Sequence, residues 1–214
     1  MRVLGIDATL QRCSVALLVD GEVVESRVSD AARGQHHLLP RMAADLLQSD
    51  STLDGVAVTI GPGSFTGLRA SISLAHGLAA GRCPVLGVTI AEALAQQAGD
   101  VGGRALWTAI DSRRGRIFLD RDGSFAAMEI SDVWPTAAKV AICGDAAVAL
   151  VAQLAATGAD VMLTRARQPH AADVALVGAE MLAGRMAPHE AQPLYVDPPE
   201  AKLPAGGLRP PPVG

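Results

Sequence analysis

Residues 61–69 read Gly-Pro-Gly-Ser-Phe-Thr-Gly-Leu-Arg, and no other stretch restricts the fold of this chain so tightly. Three glycines and a proline in so short a run cannot be the interior of a helix or a strand. The run before it, Val56-Ala57-Val58-Thr59-Ile60, is apolar, and the residues after it, Leu68 to Ala80, carry a helical pattern. The spacing therefore predicts a Gly-rich loop that joins a buried strand to a helix N-terminus. That arrangement turns backbone N–H groups toward an anion or a closely approaching chain. A Walker A loop is excluded, because Gly67 is followed by Leu68-Arg69 and the lysine is missing. A dinucleotide fingerprint fails at Thr66, and a nucleophile elbow fails at Phe65. Ser64 or Thr66 is then expected to cap the helix. A tight turn that needs only glycine dihedrals explains the same residues. Gly61, Gly63, Ser64, Thr66, Gly67 and Arg69 are accordingly the expected structural loop.

The rest of the chain falls around this loop. Val3 to Ile6, Ser14 to Val19 and Glu22 to Val28 read as a three-strand meander, with the hairpin signal Asp20-Gly21 between the last two. Leu38, Leu39, Met42, Leu46 and Leu47 recur at helical spacing, with Pro40 near the start where it is tolerated. Asp54 to Ile60 and Pro84 to Val88 read as strands, and Thr89-Ile90-Ala91-Glu92 has the spacing of a capping box. The order β-β-β-α-β-α-β-α is that of a hairpin-led sheet extended by crossover helices. Gly99 to Gly103 is the expected boundary, dividing a lobe over 1–99 from a smaller one over 100–197. In that second, less regular half, Ala105 to Ile110, Arg116 to Leu119 and Lys139 to Cys143 read as strands, and Ala171 to Ala183 as a helix closed by Gly184. Residues 198–214, rich in Pro and Gly, are expected to be extended or disordered.

Composition narrows the function classes. Half of the 214 residues are hydrophobic but only 3% are aromatic, so the core must be built from Ala, Val and Leu. A net charge of −4 lacks the basic footprint of a stand-alone nucleic-acid binder, so a role on RNA needs a partner to supply positive surface. Cys13, Cys83 and Cys143 are far apart and odd in number, which disfavours a disulfide framework or a zinc site. The N-terminus meets Asp7 too early for a signal peptide, and no apolar run is long enough to span a bilayer. A soluble cytoplasmic protein is expected.

Few residues form a chemical constellation. Asp7, followed by Ala8-Thr9, closes the first strand. A carboxylate there, beside a hydroxyl, can orient a metal-bound water or a phosphate, or can simply stabilise the turn. No glycine follows Asp7 to admit a phosphate. His36 and His37 lack the i, i+4 histidine pairing of a helical metal site, because Pro40 and Arg41 stand at those positions. The helix after the Gly-rich loop carries small residues at Ala70, Ser71, Ser73, Ala75, Gly77 and Gly81, and apolar ones that wrap more than one face. One stripe can bury on the sheet while another meets a partner, or both can belong to the core.

Together these residues resemble one family. Met1-Arg2-Val3-Leu4-Gly5-Ile6-Asp7-Ala8-Thr9, Cys13-Ser14-Val15-Ala16-Leu17, Gln35-His36-His37-Leu38-Leu39-Pro40, the Gly-rich nonapeptide and Asp111-Ser112-Arg113-Arg114-Gly115-Arg116-Ile117-Phe118 stand in the order and spacing of the TsaB (YeaZ) family. That family serves bacterial threonylcarbamoyladenosine modification of tRNA, and the resemblance covers roughly the first 120 residues. It implies an α/β, actin-like fold of the sugar kinase/Hsp70 type, built on a ribonuclease H-like motif in two lobes. It also implies a non-catalytic subunit that binds and activates the paralogous TsaD. TsaE is implied in the full complex, a homodimer when the chain is alone, and tRNA contact only through the complex. No membrane association, metal or cofactor is implied, and ATP or ADP only within the complex. The implied pairing surface is the first two helices, Gln35–Gln48 and Thr66–Ala80, with His36, Leu39, Met42, Ala43, Leu46, Ser71, Ala75 and Leu78. Asp7, Thr9 and Asp111 would be a vestigial nucleotide site. The two-histidine metal motif of TsaD-like proteins is missing here, and position 197 is Asp where members often carry Arg. Two rivals differ in class. A small-molecule kinase or ATPase of the actin-like superfamily would need a glycine after Asp7 and a second interlobe acid, such as Asp111. A metallopeptidase is disfavoured by the missing histidine pair.

Overall fold

The computed structural model describes residues 1–30, 35–47 and 52–196, with only the backbone of residues 35 and 36. The meander is present as β1 (Arg2–Asp7), β2 (Cys13–Val19) and β3 (Glu22–Ser29). Asp20 and Gly21 both adopt positive φ, 50° and 88°, which is what a two-residue hairpin turn of matching twist requires. A 3-10 turn at Gln35–Leu38 leads into α1 (Leu39–Leu47). Then come β4 (Gly55–Gly61), α2 (Phe65–Ala79), β5 (Val85–Thr89) and α3 (Ile90–Ala98). The strands order as β3-β2-β1-β4-β5, with β1 antiparallel to β2 and parallel to β4. The capping box forms as expected: Glu92 N–H donates to Thr89 Oγ1, and Thr89 N–H donates to Glu92 Oε2.

The second half turns out to be the same plan again. After β6 (Ala105–Asp111), β7 (Ile117–Asp120) and β8 (Phe125–Met128) come β9 (Lys139–Cys143), α4 (Ala147–Ala156), β10 (Asp160–Leu163) and α5 (Ala171–Leu182). The sheet runs β8-β7-β6-β9-β10, again a meander followed by two parallel strands. A 3-10 turn at Ile130–Asp132 stands where α1 stands in the first half. Strands β7, β8 and β10 have four residues each, too short for alternation to stand out, which hides the repeat in the sequence. Two such lobes make the actin-like architecture.

The division at residue 99 does not survive as a partition of the packing. Sheet one has two apolar faces. Leu4, Ile6, Val15, Leu17, Val56 and Val58 face α1 and α2. Val3, Leu18, Ala57, Leu86 and Val88 face the other way and are covered by Val174, Ala175, Val177 and Met181 of α5. That helix lies directly on the strands: a Cβ on Gly5 would overlap the Ala171 carbonyl oxygen, and one on Gly178 would overlap Ala57 Cβ. The segment after α5 stays with the first lobe, since Gly87 N–H donates to the His189 carbonyl (2.9 Å) and Leu194 N–H to that of Ile60 (2.7 Å). Residues 171–182 therefore belong physically to lobe one, because a central sheet with two apolar faces needs helices on both. Between the lobes, Leu10, Ile90, Leu94, Ile110, Phe118, Cys143 and Ala166 share one apolar cluster.

Candidate functional site

The candidate site is the turn after β1 and the Gly-rich loop that closes over it. Parallel pairing runs Val3↔Gly55 through Ile6↔Val58, so one step further Asp7 stands beside Thr59. Thr59 Oγ1 and Thr9 Oγ1 both donate to Asp7 Oδ1, at 2.7 and 2.6 Å, and Thr9 N–H donates to the same oxygen at 3.1 Å. The carboxylate is 0% exposed, and among the described residues Oδ2 has no partner. Burial pushes the carboxyl up to about 6 against the three hydrogen bonds, which favour the charged form. Thr59 was the member that sequence reasoning missed; a lone polar residue in an apolar strand was its only signal.

The loop is a lid on this turn. Ser64 N–H donates to the Thr9 carbonyl at 2.7 Å. A Cβ on Gly63 would overlap that same carbonyl oxygen, and one on Gly67 would overlap the Ala8 carbonyl oxygen. Neither glycine is needed for a positive φ; both are needed for close approach. Gly61 is the loop's exception, with φ 109°. Ser64 is the N-cap of α2, its Oγ accepting from Gly67 N–H at 3.2 Å, and Thr66 lies inside the helix. Arg69 is exposed; its guanidinium lies 3.9 Å from the Phe65 ring centroid, and its Nε donates to Tyr195 Oη at 3.2 Å.

Asp111 occupies in the second sheet the place that Asp7 has in the first, the end of the central strand. It ends β6 in the second sheet, where its Oδ1 accepts from Arg113 N–H at 2.8 Å and its Oδ2 faces the Arg113 guanidinium at 3.2 Å. Its own N–H donates to Asp145 Oδ1, and Asp145 in turn pairs with Arg113. Burial raises the Asp145 carboxyl above its ordinary range. Among the described residues no group of three or more His, Cys, Asp or Glu could hold a metal ion. No described helix is long and apolar enough to cross a membrane.

The expected pairing stripe needs correction. Leu39, Met42, Ala43, Leu46 and Ala75 are buried in the chain's own core against sheet one, and Ser71 is 0% exposed with its Oγ donating to the Leu68 carbonyl. Helical periodicity finds the apolar stripe of each helix but not its direction, and the sheet claims it first. Leu78 is half-buried, and the His36 side chain lies outside the described residues, as does the 198–214 tail. What the two helices leave open is a different face: Arg41, Ala44 and Asp45 on α1, and Ser73, His76 and Gly77 beside half-buried Ala70, Leu74 and Leu78 on α2.

Residues 29–191 match the family model for TsaD, the tRNA N6-adenosine threonylcarbamoyltransferase. The chain is 37% identical over 124 residues to the tRNA threonylcarbamoyladenosine biosynthesis protein TsaB of Escherichia coli (strain K12), covering 55% of this chain and 53% of that one. It is 32% identical over 128 residues to the protein of the same name from Haemophilus influenzae, covering 56% of this chain and 53% of the relative. The matches thus span about half the length of these relatives. Among solved structures, YeaZ from Pseudomonas aeruginosa superposes with a TM-score of 0.73 at 29% identity, covering 91% of this chain and 99% of that one. A crystal structure of an uncharacterized protein with similarity to peptidase YEAZ, from the same organism, gives 0.74 at 29% identity, covering 92% and 99%.

Proposed function

This chain belongs to the TsaD family, named for a tRNA N6-adenosine threonylcarbamoyltransferase, and we propose that it is the non-catalytic TsaB-type subunit of that modification. In this reading it binds and activates a TsaD subunit in the cytoplasm. TsaE joins the full complex, tRNA and ATP or ADP are engaged only there, and the chain pairs with itself when alone. The relatives named TsaB support the pathway. The observation that carries the non-catalytic role is the closure of the turn after β1: Asp7 touches no solvent, and its own loop sits against the Ala8 and Thr9 carbonyls with no space for a Cβ. A carboxylate so enclosed has no path to a substrate unless the loop moves.

The partner surface in this reading is the open face of α1 and α2, with Leu74 and Gly77 at its centre. A partner helix gains apolar area there without aromatic anchors, which suits exchange between a self-partner and a paralogue. The test is a reconstituted threonylcarbamoylation assay with TsaD, TsaE, tRNA, ATP and the threonylcarbamoyl donor. We expect modification to require this chain, the chain alone to turn over nothing, and Leu74→Glu to abolish stimulation while circular dichroism stays native. Stoichiometric ATP turnover by the purified chain would favour the kinase reading instead.

A further inference from the structure

Phe65 is 55% exposed and Tyr195 is 49% exposed, in a chain whose aromatic residues number three Phe, two Trp and one Tyr. The two rings lie 6.2 Å apart, centroid to centroid, tilted by 33°. Arg69 sits with them, stacked on the Phe65 face and bonded through Nε to Tyr195 Oη. Phe65 at the start of α2 and Tyr195 in the segment after α5 thus hold one guanidinium at the surface. Among the described residues no carboxylate forms an ion pair with it. Stacking and the Nε bond hold the guanidinium in one place, and among the described residues neither Nη has a hydrogen-bond partner, so little side-chain entropy remains to be lost when an acceptor arrives.

We infer that Phe65, Arg69 and Tyr195 form an anchoring point for a protein partner, which places a carboxylate on the Arg69 guanidinium and an apolar side chain against the two rings. Arg and aromatic residues are the types that dominate protein interfaces when clustered. Charge complementarity selects the carboxylate: an ordered cation with no acid of its own accepts a bidentate one well. A nucleic-acid strand fits less well, because tracking a phosphate backbone takes several cations and this patch offers one on a chain of net charge −4. The inference rests on the preceding reading in one respect, that the partner is the TsaD-type subunit.

The test uses the full chain and the TsaD-type subunit of the same organism, with the dissociation constant measured by calorimetry at two salt concentrations. Arg69→Glu should weaken binding roughly 30-fold or more, the scale of an anchoring residue. Arg69→Lys, which keeps the charge and loses the planar fork, should fall between Arg69→Glu and the parent. Arg69→Ala should also flatten the salt dependence. Because these side chains are exposed, melting should be unchanged; if Arg69→Glu fails to fold, Arg69→Ala and Phe65→Ser carry the comparison. A parent that binds while every variant binds equally overturns the anchoring point and leaves the subunit reading standing. A parent that does not bind overturns both. Loss of affinity for a single-stranded RNA oligomer, with protein binding intact, replaces the protein partner by a nucleic acid.

Discussion

Asp7 shows how much one atom can reveal. A carboxyl moved from 3.8 to about 6 binds its proton more tightly in the folded chain than in the unfolded one. Stability from this group is therefore fully present below about pH 4 and declines as pH rises through 6, by about 3 kcal/mol in total. We expect Asp7→Asn to gain on the parent by about that much between pH 4 and pH 7, measured by urea unfolding across the series. An equal difference at both ends would mean that the carboxylate is solvated. Gly67 answers to a different force. Its Cβ would meet the Ala8 carbonyl, so Gly67→Ala should cost about 1–3 kcal/mol through overpacking alone. A variant melting like the parent would place the loop away from the turn.

At the scale of an element, α2 divides its circumference between two claims. Leu68, Ser71, Ile72, Ala75 and Ala79 are buried on the sheet side. A glutamate at Ala75 would consequently be driven into the chain's own core, and Ala75→Glu should unfold the protein rather than yield a folded monomer. On the opposite side stands Gly77, where an added Cβ would meet nothing within 4 Å. Nothing among the described residues explains a glycine there, and in mid-helix it costs about 0.5–1 kcal/mol relative to alanine. Gly77→Ala should therefore raise the melting temperature of the isolated chain while weakening association with the partner. Unchanged association would remove Gly77 from the contact.

For the whole molecule, the path of the chain decides what can stand alone. The lobe built from residues 1–99 lacks α5, whose Val174, Ala175 and Val177 cover Val3, Leu18 and Ala57. A fragment ending at residue 99 should expose that face and collapse without cooperative unfolding, and a peptide spanning 165–196 should restore a melting transition in trans. A fragment that melts cooperatively by itself would show that α1 and α2 suffice.

Local signals were legible where physics is local. The Asp20-Gly21 turn, the Thr89–Glu92 capping box and the Gly-rich junction between β4 and α2, with a cap at Ser64 or Thr66, all follow from backbone sterics and hydrogen bonding within a few residues, and the sequence alone determined them; the structure chose Ser64 as the cap. So too did the order of strands and helices in the first lobe, because its apolar runs are long enough to show their period. Tertiary structure alone decided which way each amphipathic helix faces, so that Leu39, Met42 and Ala75 became core and Gly77 surface. It also decided that α5 returns to the first sheet, and that Thr59, Arg69 and Tyr195 reach partners far away in the chain. The reason is physical: an apolar stripe specifies that something covers it, while only the competition among all faces for burial specifies what does.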